Sequence, residues 1–345
     1  MERWHTTHAE TWLVAALSTL EFSHPKTAEL IAQGLNVKPG SAAFASARFH
    51  AIRLLIETGK YDEARQVLDQ ILKNNRAQFD ESSLNLLTSK RLLVARTLDE
   101  FLTYAPRVPA ALSWNDDGRE IPADDESVST EMKDIKGQPR FDYDAGMAIN
   151  RQMPLSVLKV AGKNTSLPVA LRRDLAQAVW LRAAMLGDTK TADEFVPVLS
   201  ALVPELAPLL NEYLTATTPQ AKKASAIYAW LKFPGLEPVV DLGIGRRTPL
   251  NQQDSYRDNW WCGAAFYPTE GDNESEVIAF TGRATHPLLF LSAAEKAAGE
   301  REWNTLVPKG AAPNYISQQV VQWATRTPDD PRVPEALHLA VTTTR

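Results

Sequence analysis

The sequence predicts an all-α chain of stacked helical hairpins interrupted by two irregular, Pro/Gly-rich insertions, and three observations carry that prediction. First, an apolar stripe recurs. Ala28, Ile31, Ala32 and Leu35 are spaced i, i+3, i+4, i+7, as are Ala64, Val67, Leu68 and Ile71, and again Ala192, Phe195, Val196 and Leu199. With about 3.6 residues per turn, each set falls on one face of a helix. Second, every stripe opens with alanine and continues with larger groups. One backbone can approach at the small residue while bulkier side chains fill the gap beyond. Third, two stripes follow a glycine at the same distance, Gly59 before Ala64 and Gly187 before Ala192. Glycine takes the left-handed conformation that ends a helix, and a short polar turn then starts the next one.

Taken in order, residues 1–105 read as N-terminal helical hairpins, with Ser41 to Thr58 long enough to be the first helix before the Gly59 turn. Residues 106–162 lack clear periodicity and carry Pro106, Pro109, Pro122 and Pro139, so an acidic linker or insertion is expected there. Residues 163–233 form a second repeat segment, with Leu171 to Leu186 ahead of the Gly187 turn. Residues 234–287 combine Pro234, Pro238, Pro249 and Pro268 with Gly235, Gly243, Gly245, Gly263 and Gly271, a density of breakers that helices do not survive. This stretch nevertheless holds Tyr256, Trp260, Trp261, Phe266 and Tyr267, so it is no plain solvated linker. Helix returns over 288–345, with Leu288 to Gly299, Asn314 to Thr325 and Pro334 onward as candidates.

The stretch Ile56-Glu57-Thr58-Gly59-Lys60-Tyr61-Asp62-Glu63-Ala64-Arg65 resembles the turn and second-helix start of a tetratricopeptide repeat. Pro204 falls where that repeat places its closing proline, and Asp329-Asp330-Pro331-Arg332-Val333-Pro334-Glu335-Ala336-Leu337 is similar to a repeat start in bacterial envelope-associated members. The resemblance covers Thr11 to Leu72, Leu171 to Pro204 and Pro331 to Arg345. It implies a TPR-like α-solenoid whose packing positions include Ala28, Gly59, Ala64, Gly187 and Ala192, and whose concave surface holds protein or peptide partners. Repeat arrays need polar terminal units, and the last helix stops at Thr342-Thr343-Thr344-Arg345 without a closing partner. A segment of a longer chain is therefore expected.

Composition narrows the function classes. The 345 residues are 44% hydrophobic with a formal charge of -5, which fits a folded chain and disfavours a general nucleic-acid surface. Acidity is local, because Asn115 to Asp144 holds ten acidic and four basic residues. The longest apolar run near the start, Trp12 to Leu17, is far short of the roughly 20 residues of a membrane span, and no signal peptide is legible. Compartment stays open, periplasmic or envelope for a piece of an exported precursor and cytoplasmic otherwise. One cysteine, Cys262, excludes an internal disulfide.

Catalytic signatures are weak. Cys262 with His286 lacks the surroundings of a cysteine hydrolase, and a structural thiol is expected. His5 and His8 are two imidazoles without a third ligand. Ser113, Asn115, Asp117, Gly118 and Asp124 overlay a calcium loop, but serine is a weak first ligand and Glu120 sits at the apolar position. Gly162-Lys163-Asn164-Thr165 lacks the earlier glycine of a phosphate loop, and Gly243-Ile244-Gly245 lacks a strand–helix context. No enzyme and no cofactor is expected. The aromatic segment around Tyr256, Arg257, Asp258, Trp260 and Trp261 is the candidate contact surface. Burying one such ring removes about 150–250 Å² from water, so plugging the loop onto the helices is preferred over stacking on a ligand. The function expected is an interaction scaffold for peptides or proteins. The alternative is a carbohydrate- or peptidoglycan-binding, enzyme-associated module using the tryptophan-rich insertion.

Overall fold

Helix-ending glycines and side-chain caps punctuate the chain and set where its elements begin. The computed structural model describes residues 2–122, 125–128, 133, 135–242, 250–251 and 286–342. Helix accounts for 67% of them, in 16 helices with little strand, so the fold class is all-α. The chain divides into two compact units, Met1–Pro139 with Pro287–Phe290, and Arg140–His286 with Leu291–Arg345. No described helix is long and apolar enough to cross a membrane.

The first unit contains α1 (Glu2–Thr7), α2 (Glu10–Thr19), α3 (Thr27–Asn36), α4 (Phe44–Glu57), α5 (Tyr61–Asn74), α6 (Glu81–Leu93) and α7 (Leu98–Tyr104). Consecutive helices from α2 to α7 pack on one another. Between α4 and α5, Gly59 sits at φ +75°. Its N–H donates to the Ile56 carbonyl, and the Lys60 N–H donates to the Leu55 carbonyl. This pair of bonds closes the helix end as a Schellman motif. Arginines close other ends from outside. Arg53 donates to the carbonyls of Leu17 and Leu20, and Arg65 to that of Val94. Each places a cation where the carbonyls of a helix terminus gather.

Two of the three predicted stripes are buried faces: Ala64, Leu68 and Ile71 on α5, with Val67 half-buried beside them, and Ala192, Phe195, Val196 and Leu199 farther on, each of the seven buried residues at most 3% exposed. The stripe at Ala28 is turned by one residue. Ala28 and Ala32 are exposed, and the buried face of α3 is Thr27, Leu30, Ile31 and Gly34. The small notch there is glycine, not alanine. A Cβ at Gly34 would lie 2.9 Å from Leu17 Cδ1 and 3.2 Å from both the Ala47 carbonyl oxygen and Ala51 Cβ. The helices meet too closely for any side chain at that point.

The region expected to be irregular, 106–162, is only partly so. Strands β1 (Pro106–Arg107), β2 (Ala111–Trp114), β3 (Glu120–Pro122) and β4 (Arg140–Phe141) occur there, with β2 and β3 paired antiparallel. It also contains two helices, α8 (Tyr143–Gln152) and α9 (Leu155–Gly162). Asp142 caps α8 by accepting from the Tyr143 N–H, and Met153-Pro154 separates the pair. Because proline splits the run into pieces of ten and eight residues, neither shows a long apolar period.

The second unit continues with α10 (Val169–Leu186), α11 (Thr189–Leu202), α12 (Ala207–Thr215), α13 (Pro219–Lys232), α14 (Ala293–Leu306), α15 (Ala312–Arg326) and α16 (Val333–Thr342). Gly187, at φ +78°, ends α10 with the same bond pair as Gly59, donated to Ala184 and Ala183 by residues 187 and 188. The core is aromatic. The Trp180 ring on α10 meets Tyr213 of α12 edge-on at 5.5 Å and Trp230 of α13 at 6.4 Å, and Trp230 lies 6.4 Å from Tyr315 of α15. A buried polar network lies in the same unit. Arg182 donates to the carbonyls of Pro238 and Asn150, and the Asn150 side chain exchanges two hydrogen bonds with the Val240 backbone. The chain after α13 is thereby fixed to α8 and α10.

Helix α14 starts at Ala293, later than the predicted Leu288, because Ser292 and Glu295 form a capping box. It runs through Gly299 because a Cβ there would lie 2.5 Å from the Gln152 carbonyl oxygen. Alanine is intrinsically the better helix former by about 0.8–1 kcal/mol. We nevertheless expect Gly299→Ala to lower stability by about 1–3 kcal/mol, since backbone must move to admit the methyl. Urea unfolding checks this, and an unchanged or raised midpoint contradicts the close approach.

Candidate functional site

The side chains that converge without satisfying one another lie between α13 and α15. Thr218 caps α13 by accepting from the Ala221 N–H, and Pro219 starts the helix with a preset φ. The register this imposes buries Ala224 and Ile227 on the α13 face toward α15 and leaves Lys223 exposed at its edge. On α15, Gln319 and Trp323 face inward, with Gln322 and Arg326 at the rim. Together they bound a cleft of about 380 Å³, within the range of small ligand sites.

One wall is rigid. Asp330 accepts from Arg332 through both carboxylate oxygens, at 3.0 and 2.8 Å, and Arg332 also reaches Ser225 Oγ at 3.1 Å. The guanidinium lies 5.2 Å from the centre of the Trp323 ring, which Tyr228 meets edge-on at 6.3 Å. Hydrogen bonds from Arg332 hold the Asp330 carboxyl below its ordinary range, with a further bond from Trp323 contributing. The carboxylate of this wall is thus fully engaged by its own neighbours.

The opposite side is electrically open. Partial desolvation at the cleft edge pushes the Lys223 ammonium down from its ordinary pKa, and the positive charges of Lys309 and Arg326 push it further. Among the described residues, neither Lys223 nor Arg326 is paired with a carboxylate. Gln319 is 8% exposed, and its Oε1 has no hydrogen-bond partner among the described residues. A buried acceptor left unmade costs about 1–3 kcal/mol, so the cleft holds both excess positive charge and an unused acceptor.

The sequence-predicted contact residues Tyr256, Arg257, Asp258, Trp260 and Trp261 lie outside the described residues, as does Cys262. The packing residues are not brought together in one place. Ala64 and Gly59 belong to the first unit, Ala192 and Gly187 to the second, and Ala28 is exposed. On α4, Arg48 and Arg53 are both half-buried and engaged within their own unit. Arg48 lies 5.2 Å from the Phe44 ring centre, and Arg53 is bonded to Glu57 as well as to the α2 carbonyls. The calcium-like stretch is a β-hairpin turn in which Asn115 Oδ1 accepts from the Arg119 N–H, while Asp124 lies outside the described residues. Sequence reasoning missed Lys223, Gln319, Trp323 and Arg326. The available signal was a Thr-Pro helix start followed by lysines, together with basic residues near the end of α15.

With this geometry in view, no model of a known protein family, no curated protein and no solved structure matches the chain.

A second cluster lies on α10. Burial pushes the Asp174 carboxyl up to about 7, the negative charge of Asp241 adds to the rise, and Arg173 at 3.5 Å opposes it. Unfolded aspartate titrates near 3.9, so folding takes up a proton in between. The contribution of Asp174 to stability is therefore fully present below about pH 4 and is lost as pH rises through about 7. We expect Asp174→Asn to flatten the fall in stability between about pH 4 and 8. Guanidinium unfolding of both proteins across that range checks it, and parallel profiles contradict the assignment.

Proposed function

We propose that the chain is a non-enzymatic scaffold whose helical hairpins form a TPR-like solenoid, and that it holds a peptide or protein partner in the cleft between α13 and α15. The observation that carries this reading is the convergence of an unused buried amide, unpaired cations and an aromatic face on one concave surface. Side chains left unsatisfied by the fold are available to a ligand, whereas the Asp330–Arg332 pair and the Arg53–Glu57 pair are closed on themselves. Consecutive helices that pack on their chain neighbours, with Schellman turns at Gly59 and Gly187, support the solenoid arrangement. Three amides (Gln220, Gln319 and Gln322) suit a peptide backbone, which presents donors and acceptors in alternation.

Panning displayed random peptides on the folded chain tests the proposal. Enriched peptides should lose binding to Gln322→Trp, which fills the cleft, and keep it for Glu300→Trp on the exposed side of α14. Enrichment of nothing above background, or binding indifferent to Gln322→Trp, contradicts it.

A further inference from the structure

We propose that the cleft selects acidic peptides, seating a ligand carboxylate between Lys223 and Arg326 and a ligand backbone amide against the side-chain amide of Gln319. This rests on the reading of the cleft as a peptide site and adds the chemistry of its occupant. Four side chains decide the charge of the lining: Lys223, Arg326 and Arg332 against Asp330. Asp330 matches Arg332 in a two-point pair and Glu212 lies 3.4 Å from the same guanidinium, so the unpaired cations of the lining are Lys223 and Arg326. Lys309 adds to the same field, since its charge acts on Lys223. Like charges gathered at a partly desolvated site repel, and a carboxylate placed among them relieves that repulsion while forming charge-assisted hydrogen bonds.

The second requirement comes from Gln319. It is more than nine-tenths buried, it lines the cleft, and its Oε1 lacks a partner among the described residues. A side-chain amide calls for a partner that both donates and accepts, which a bare carboxylate is not. A peptide supplies both from one molecule, a side-chain or terminal carboxylate for the cations and a backbone amide for Gln319. The apolar floor of Ala224, Ile227 and Trp323 then takes an aliphatic side chain of the same peptide.

Fluorescence anisotropy with a dye-labelled, amide-capped Glu-Leu-Glu-Leu-Glu-Leu peptide and its Gln-Leu counterpart tests this. The acidic peptide should bind about tenfold or more tightly than the neutral one, a difference of about 1.4 kcal/mol. Lys223→Ala and Arg326→Ala should each erase most of that preference, and Arg326→Lys should restore part of it. Both side chains are exposed, so loss of folding does not confound the result, and thermal unfolding of each variant verifies this. Gln319→Leu should weaken both peptides alike, because it removes the backbone contact. Raising salt should weaken only the acidic peptide, as screening demands. Equal binding of both peptides, abolished by Gln322→Trp, overturns the charge preference while leaving a peptide cleft in place. No binding of either peptide up to about 1 mM, nor of any panned peptide, overturns both readings. Displacement of the acidic peptide by inorganic phosphate at constant ionic strength, with phosphate affinity unchanged by Gln319→Leu, identifies a small-anion site and overturns the peptide assignment.

Discussion

Four rings in contact hold the second unit in register: Tyr213 against Trp180, Trp180 against Trp230, and Trp230 against Tyr315. They come from α12, α10, α13 and α15, so one continuous aromatic column ties four helices together. Trp180 and Tyr213 are almost fully buried and head the largest such side chains among the described residues. Each ring of this size buries about 150–250 Å² and prefers edge-on geometry, which restricts how the helices rotate against one another. The Trp180 indole N–H has no acceptor among the described residues. The packing therefore outweighs an unmade hydrogen bond at its centre.

The cleft is a consequence of this column. Trp230 and Tyr315 fix α13 and α15, and neighbouring faces of the same helices line the cleft. Trp323, two turns beyond Tyr315, continues the aromatic surface to the edge, where Arg332 covers it. Rigid walls matter for binding because a preformed site loses little conformational freedom when it is filled. The Arg182–Asn150 network serves a related end in the same unit, giving buried polar groups their partners so that the chain leaving α13 has one path.

Much of the helical framework was legible because it depends on local rules. The glycines at 59 and 187 announce left-handed helix ends, and the stripes beginning at Ala64 and Ala192 mark buried faces. The stripe at Ala28 misled because alanine is tolerated at exposed positions, while the true contact used a glycine, which contributes nothing to an apolar pattern. Helices α8 and α9 were hidden by the proline between them, and the acidic residues before Tyr143 made the whole stretch read as solvated. The cleft was illegible for a different reason. Lys223 and Arg326 are about a hundred positions apart in sequence, and only tertiary packing decides that they face one another. Whether a glutamine is satisfied is likewise a property of its neighbours, not of its own position.

A double-mutant cycle on Trp180→Leu and Trp230→Leu, read by chemical unfolding, tests the column most directly. If the rings act as one packed unit, the two losses should be non-additive, with a coupling of about 0.5–1.5 kcal/mol. Losses that simply add would mean that the rings fill space independently, and that the walls of the cleft are set by something else.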